Sequence, residues 1–306
     1  MIEMNKSGEW LVGRLPASEA GVPLGQLLRE RWKWPKKTVH LLFQQKEIRL
    51  DGEPAGQLSV PEPGQTLEAR LLIPEPLGIE AAREPLDVLY EDDHLLIANK
   101  PAGLLLHPTE PGHRLTLDHL VAGHFLRNGI HSKVRHIHRL DQDTSGAVLY
   151  GKHALAAAFL DEALRVRQVK RTYTAYVHGK LADMTGTIAE PIGKDRHHPT
   201  RRRVTPGGEK AITHYRLLEQ FAGAAKIECQ LETGRTHQIR VHLSHLGHPL
   251  LGDTLYGAKP SNLGRQALHA ASLSLIHPFG GAAIEASAPI PSELAELEKV
   301  LRTPRQ

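Results

Sequence analysis

The chain has 306 residues, of which 40% are hydrophobic and 24% charged, with a formal net charge of +4 and a single cysteine. Such a length gives one large domain or two unequal ones, and no run approaches the roughly 18 uncharged apolar residues that a membrane helix needs. Cys229 has no second cysteine to bridge and sits in the alternating segment KIECQLE, where a buried thiol without chemistry is expected.

The opening MIEMNKSGEWLVGRL carries acids early and lacks the apolar core and cleavage site of a secretory signal, so a cytoplasmic location is expected. From Leu24 to Phe43 the apolar spacing predicts two short helices broken near Pro35, since proline removes a donor and restricts its predecessor. Their polar faces are basic: Arg29, Arg31, Lys33, Lys36, Lys37 and Lys46 stand against one acid, Glu30. With the pI near 9.1, this favours a polyanionic partner, although a charge run is most often a solvated face. A strand at 48–50, the tight-turn pair Asp51-Gly52 and a strand at 66–72 follow.

The proline-rich stretch 74–85, PEPLGIEAAREP, reads as a linker, dividing the chain into 1–74, 75–84 and 85–306. Strands are expected at 86–90, 95–99 and 104–107, then a helix capped by Thr116 and ended by Gly129. Strands and helices then mix without a regular βαβ repeat, which predicts an α+β fold with a mixed, largely antiparallel sheet behind a small N-terminal α/β domain.

Asp141 lies in HRLDQDTSG (138–146), at a turn between apolar segments, where rigid flanks fix a side chain and the turn exposes it. An isolated aspartate there reads first as a turn partner. The alternative of an aspartyl-phosphate phosphatase motif, DxDx, is disfavoured by the polar lead-in VRHIHR, which does not suit a buried parallel strand. In KRTYTAYV, alternation places Tyr173, Ala175 and Val177 on one face of a strand. In LETGRTHQIRVHL, Thr236 is the expected N-cap, Ile239, Leu243 and Leu246 form one helical face, and Arg235 projects from the turn before the helix, where a carboxylate partner is favoured. His237, His242, His245 and His248 lack metal-ligand spacing, so no metal is expected. The loop 194–210 holds six cations, Arg201, Arg202 and Arg203 among them, against two acids, and reads as a mobile clamp for a phosphate backbone.

The blocks NKPAGLLLHP, HRLDQDTSG, KRTYTAYVHG and LETGRTHQIRVHL, in this order over roughly 85–280, closely resemble the RluA-type family of pseudouridine synthases. The segments LLRERWKW, VHLLFQQKEIRLDGEP and PEPGQTLEARL resemble the S-four RNA-binding domain often fused ahead of such catalytic domains, with Pro35-Lys36-Lys37-Thr38 replacing the usual Ser-Arg. The resemblance implies that a uridine is flipped out of its RNA, the glycosidic bond broken, and carbon 5 joined to the ribose. It implies Asp141 as nucleophile or general base, Tyr173 as stacking platform and proton relay, and Arg235 as the ion-pair partner of Asp141. Ile239 is expected beneath Tyr173, Arg139 in the gap left by the base, and His138, Thr144 and Lys170 beside the substrate. Residue identity leaves open whether Asp141 engages the anomeric carbon, the uracil ring or a ribose proton. The implied partner is RNA, ribosomal before transfer RNA, with no cofactor, no membrane and a monomeric enzyme.

Overall fold

The computed structural model describes residues 2–110, 112–113 and 115–303. Residues 5–70 form a five-stranded antiparallel sheet in the order Asn5–Ser7, Trp10–Arg14, Thr66–Arg70, Ile48–Leu50, Glu53–Pro54. Two helical segments pack on it, Leu24–Gln26 continuing through a π-turn at Leu27–Arg31, and Lys36–Gln44 after Pro35. Leu24, Leu28, Trp34, Val39 and Leu42 bury against Leu11, Ile48 and Leu67, and the same core takes in Leu155 and Phe279 from the rest of the chain.

A nine-stranded sheet carries the remainder. Its order is Thr185–Ile188, Thr213–Gln220, Ala224–Leu231, Lys170–His178, Leu268–Ile276, Ser145–Gly151, Leu95–Lys100, Val88–Glu91, with Ala283–Ser287 also on Leu268–Ile276. Every pairing is antiparallel except Leu268–Ile276 with Ser145–Gly151. That parallel junction explains Gly146. Its φ is +114°, and a Cβ there would stand 2.1 Å from the Ala270 carbonyl oxygen.

Thr116 caps the Leu117–Arg127 helix, accepting from the His119 N–H. The strand expected at 104–107 is not formed. The Leu105 and Leu106 carbonyls instead accept from the Leu117 and Asp118 amides, satisfying orphan donors of that helix start. The basic loop after Lys194 is folded as a hairpin, Ile192–Lys194 with Arg202–Val204.

Five of the buried histidines are kept neutral by burial, and their hydrogen-bonded ring nitrogens meet neutral partners. His153 Nε2 donates to His94 Nδ1 at 3.0 Å, and His94 Nε2 donates to the Met4 carbonyl at 2.7 Å. His138 Nε2 accepts from the Leu149 amide, and His242 and His269 each donate Nε2–H to a backbone carbonyl. Burial is the main cause, and it lowers the pKa of all five, to about 3 for His138. His277 moves the other way, because Asp92 outweighs its burial. A folded pKa below the ordinary 6.5 means that the unfolded chain takes up protons first. The contribution of these five is therefore full above pH 6.5 and falls beneath it, while that of His277 runs the opposite way and offsets one of them. We expect the melting midpoint at pH 5 to lie roughly 10 °C below that at pH 7.5; scanning calorimetry across this range checks it, and a midpoint that rises on acidification contradicts it.

Candidate active site

Asp141 opens a turn closed by the Thr144 amide donating to the Asp141 carbonyl at 3.1 Å. The turn is gripped from below by Lys100, which is fully buried and whose Nζ donates to the carbonyls of Pro101, Gln142 and Thr144 at 3.0, 2.6 and 2.9 Å. Burial lowers the Lys100 pKa to about 7, against the pull of Asp143 and Asp141. On the other side Arg265 donates to the Asp143 carbonyl at 3.1 Å, Gln266 Nε2 to Thr144 Oγ1 at 3.2 Å, and His269 Nδ1 meets Ser145 Oγ at 2.9 Å. The backbone that presents Asp141 is thus held without using its carboxylate.

The carboxylate, 18% exposed, faces Arg240: Nη1 lies 3.2 Å from Oδ2. Arg240 is held in turn by Asp253, Nε to Oδ2 at 2.8 Å and Nη2 to Oδ1 at 2.9 Å. Burial works against the Arg240 charge, but the hydrogen bonds and charge of Asp253, joined by Asp141, raise its pKa above the ordinary value. Asp253 is 2% exposed, so this is a buried Asp–Arg–Asp array. His237 Nε2 stands 3.9 Å from Asp141 Oδ1, while its Nδ1 meets the Tyr256 hydroxyl at 2.8 Å. That hydroxyl accepts from the Arg202 amide at 2.9 Å, which ties the basic hairpin to the site.

The expected pairing of Arg235 with Asp141 is corrected. Arg235 Nη1 pairs with Glu209 at 2.5 Å and its Nε donates to the Lys210 carbonyl. The reason is local. His237, not Thr236, is the N-cap, in a left-handed conformation with φ +59°, and the helix is Gln238–His245. The Gln238 side chain folds back to accept from the Arg235 amide at 3.0 Å. Arg235 therefore stays on the turn, and Arg240, one residue beyond Ile239 on the buried side, reaches the aspartate. Ile239 and Leu243 are buried as expected, but Leu246 is 41% exposed.

Tyr173 is buried, faces the core with Ala175 and Val177, and makes no hydrogen bond through its hydroxyl among the described residues. Burial raises its pKa. Tyr173, Ile239, Asp141, Arg139, Thr144 and Arg240 line one cavity of about 50 Å³. His138 and Lys170 do not. His138 is buried behind the turn and bonded to the Leu149 amide, and Lys170 points to solvent at the strand end.

On the two N-terminal helical segments and their connection Lys33, Lys36 and Lys37 are exposed, whereas Arg29 bonds Gly25 and Gln57, and Arg31 bonds Ser18 and pairs with Glu19. In the hairpin Arg201 pairs with Asp195 at 2.6 Å, Arg202 is half-buried and Arg203 is exposed. Among the described residues no group of three or more His, Cys, Asp or Glu is arranged to hold a metal ion, and no helix is long and apolar enough to cross a membrane. Arg240, Asp253, His237, Tyr256 and Lys100 escaped sequence reasoning. A signal was present for Arg240 and His237, which lie in the GRTHQIR block, and for Lys100, which lies in NKPAGLLLHP, but not for Asp253 and Tyr256.

Residues 94–245 match the family described as RNA pseudouridylate synthase, and residues 13–67 the RluD ribosomal pseudouridine synthase N-terminal domain. An uncharacterized RNA pseudouridine synthase of Bacillus subtilis, YhcT, is 44% identical over 296 residues, covering 96% of this chain and 98% of its own. The ribosomal large subunit pseudouridine synthase D of Nitrosomonas europaea is 38% identical over 299 residues, covering 94% and 87%. Among solved structures, human RNA pseudouridylate synthase domain containing 4 superposes with a TM-score of 0.59 at 25% identity, covering 71% of this chain and 93% of its own. The family match, the curated relatives and the superposed structure agree, and the chain belongs to the RluA-type family of RNA pseudouridine synthases.

Proposed function

We propose that this enzyme isomerises uridine in large-subunit ribosomal RNA, with Asp141 as the reacting carboxylate. The observation that carries the site is the Asp141–Arg240–Asp253 array beside Tyr173: one partly exposed carboxylate against a fixed cation, next to a buried aromatic face. The extruded base stacks on Tyr173, above Ile239, while Arg139 fills the gap it leaves. The bond from N1 to the anomeric carbon breaks, the base rotates, and carbon 5 bonds to that carbon. The carbon 5 proton is then lost and N1 gains one, so the step is an isomerisation needing no redox partner. The free Tyr173 hydroxyl is suited to relay that proton. Residues 1–74 serve as an RNA-binding front domain, joined through 75–84 to the catalytic part.

The ribosomal target is supported by the front region's similarity to the RluD ribosomal N-terminal domain and by relatives named for the large subunit. Pseudouridine mapping in ribosomal and transfer RNA from a strain lacking this protein, against its parent, tests it. The expected result is a site missing from large-subunit RNA; a loss confined to transfer RNA overturns the target.

A further inference from the structure

Side chains alternate along the Lys170–His178 strand, so Arg171 shares its face with Tyr173, Ala175 and Val177. Arg171 is only 7% exposed. Its guanidinium donates once, from Nη2 to the Thr233 carbonyl at 3.2 Å, and its Nε is buried with no partner among the described residues. Glu232, which lines the larger of the two cavities beside Arg171, pairs with Arg167 and His214 instead. Buried cations are almost always paired, because desolvation otherwise goes uncompensated. This one faces two cavities.

Arg171 lines the cavity of Asp141 and Tyr173 and also an adjoining trough of about 670 Å³, and Arg139, Gly234 and Arg235 belong to both walls. The rest of the trough carries the cations Arg165, Arg167 and Lys210 and two acids, Asp161 and Glu232, the latter already paired with Arg167 and His214. A Cβ at position 234 would stand 2.8 Å from Arg171 Nη1, so glycine leaves the guanidinium its seat.

We propose that this trough seats the phosphodiester backbone of the RNA strand carrying the target uridine, with one phosphate set against Arg171. The proposal rests on the enzyme class and not on which RNA is modified. Arg171 and Tyr173 lie two strand positions apart, about 7 Å, so a phosphate on one and a stacked base on the other fall within the reach of one nucleotide. Guanidinium suits phosphate because its planar fork matches two oxygens. Arg165 and Arg167 are held by Glu162 and Glu232 in the free protein. Exposed pairs of this kind contribute little and yield readily to a polyanion.

The test uses the full chain and a fluorescent oligouridylate of about ten nucleotides, titrated between about 50 and 200 mM salt. The triple variant R165Q/R167Q/K210Q, all at exposed positions, is expected to flatten the slope of log Kd against log salt by about 2, near 0.7 per lost phosphate contact. A wild-type slope overturns the trough. For the buried seat, tritium release from a large-subunit RNA transcript is expected to show KM raised roughly 10- to 100-fold in R171M, with R171K, which restores the charge but not the fork, recovering only part of it. An unchanged KM in folded R171M overturns the phosphate at Arg171. Absence of release by the wild-type enzyme, with the slope change intact, would instead strike only the ribosomal target.

Discussion

Asp141→Asn is expected to abolish tritium release from carbon 5 of labelled uridine RNA, lowering kcat/KM by roughly four orders of magnitude, while the protein still folds. The geometry explains why the two effects separate. Lys100 and Arg265 hold the turn through the carbonyls of Gln142, Asp143 and Thr144, none of which the substitution touches. Asparagine keeps the size of the side chain and an oxygen that can accept from Arg240 Nη1, and Arg240 keeps both bonds to Asp253. The cost to stability is therefore about 1 kcal/mol, a few degrees in melting temperature. What is lost is the charged oxygen beside Tyr173, the one feature that a nucleophile or base cannot do without. Asp143→Asn supplies the comparison, because that side chain does not line the cavity; it should retain activity within about tenfold of wild type. Release at the wild-type rate by the Asp141→Asn protein would remove Asp141 from the chemistry.

The strand-level chemistry was legible because it depends on local periodicity. Alternation put Tyr173 inward, and the sharp HRLDQDTSG turn put a carboxylate at its mouth. Gly146 was readable as a turn glycine, yet its tighter reason, the Ala270 carbonyl crossing at a parallel junction, comes from residues more than a hundred positions away. The cation opposite Asp141 was misread for a similar reason. Two arginines lie five residues apart in one block, and the choice between them turns on helical phase. A left-handed His237 starts the helix one residue later than the threonine signal suggests, and Asp253, 13 residues beyond Arg240 and outside the helix, fixes it from behind. The basic loop shows the same limit: its composition suggested a mobile arm, but it pairs as a hairpin and its Arg202 amide donates to the Tyr256 hydroxyl, which ties it to His237. Local pattern locates the reacting group, and long-range pairing decides what surrounds it.

Arg240→Met is expected to cost about 3 to 5 kcal/mol of stability and to lower kcat/KM by roughly 10²- to 10³-fold. The stability term arises because Asp253, 2% exposed, is left as an uncompensated buried charge, and the activity term because Asp141 loses its fixed counter-charge. Adding Asp253→Asn separates them. The double variant R240M/D253N removes the orphaned acid and should regain most of the stability, yet none of the activity, since nothing restores a cation at Asp141. Arg240→Lys should fall between, because one ammonium cannot meet both Asp253 oxygens and Asp141 as the planar guanidinium does. Arg235→Gln gives the decisive contrast. Its pair with Glu209 lies at the surface, with side-chain exposures of 39% and 71%, and such pairs are worth little. Its effect should be confined to KM and remain below about tenfold. Urea unfolding and single-turnover rates on the four proteins measure every quantity named. Were Arg235→Gln to lose as much of the rate as Arg240→Met, the cation that serves Asp141 during turnover would be Arg235, and the buried array would be a structural clasp alone.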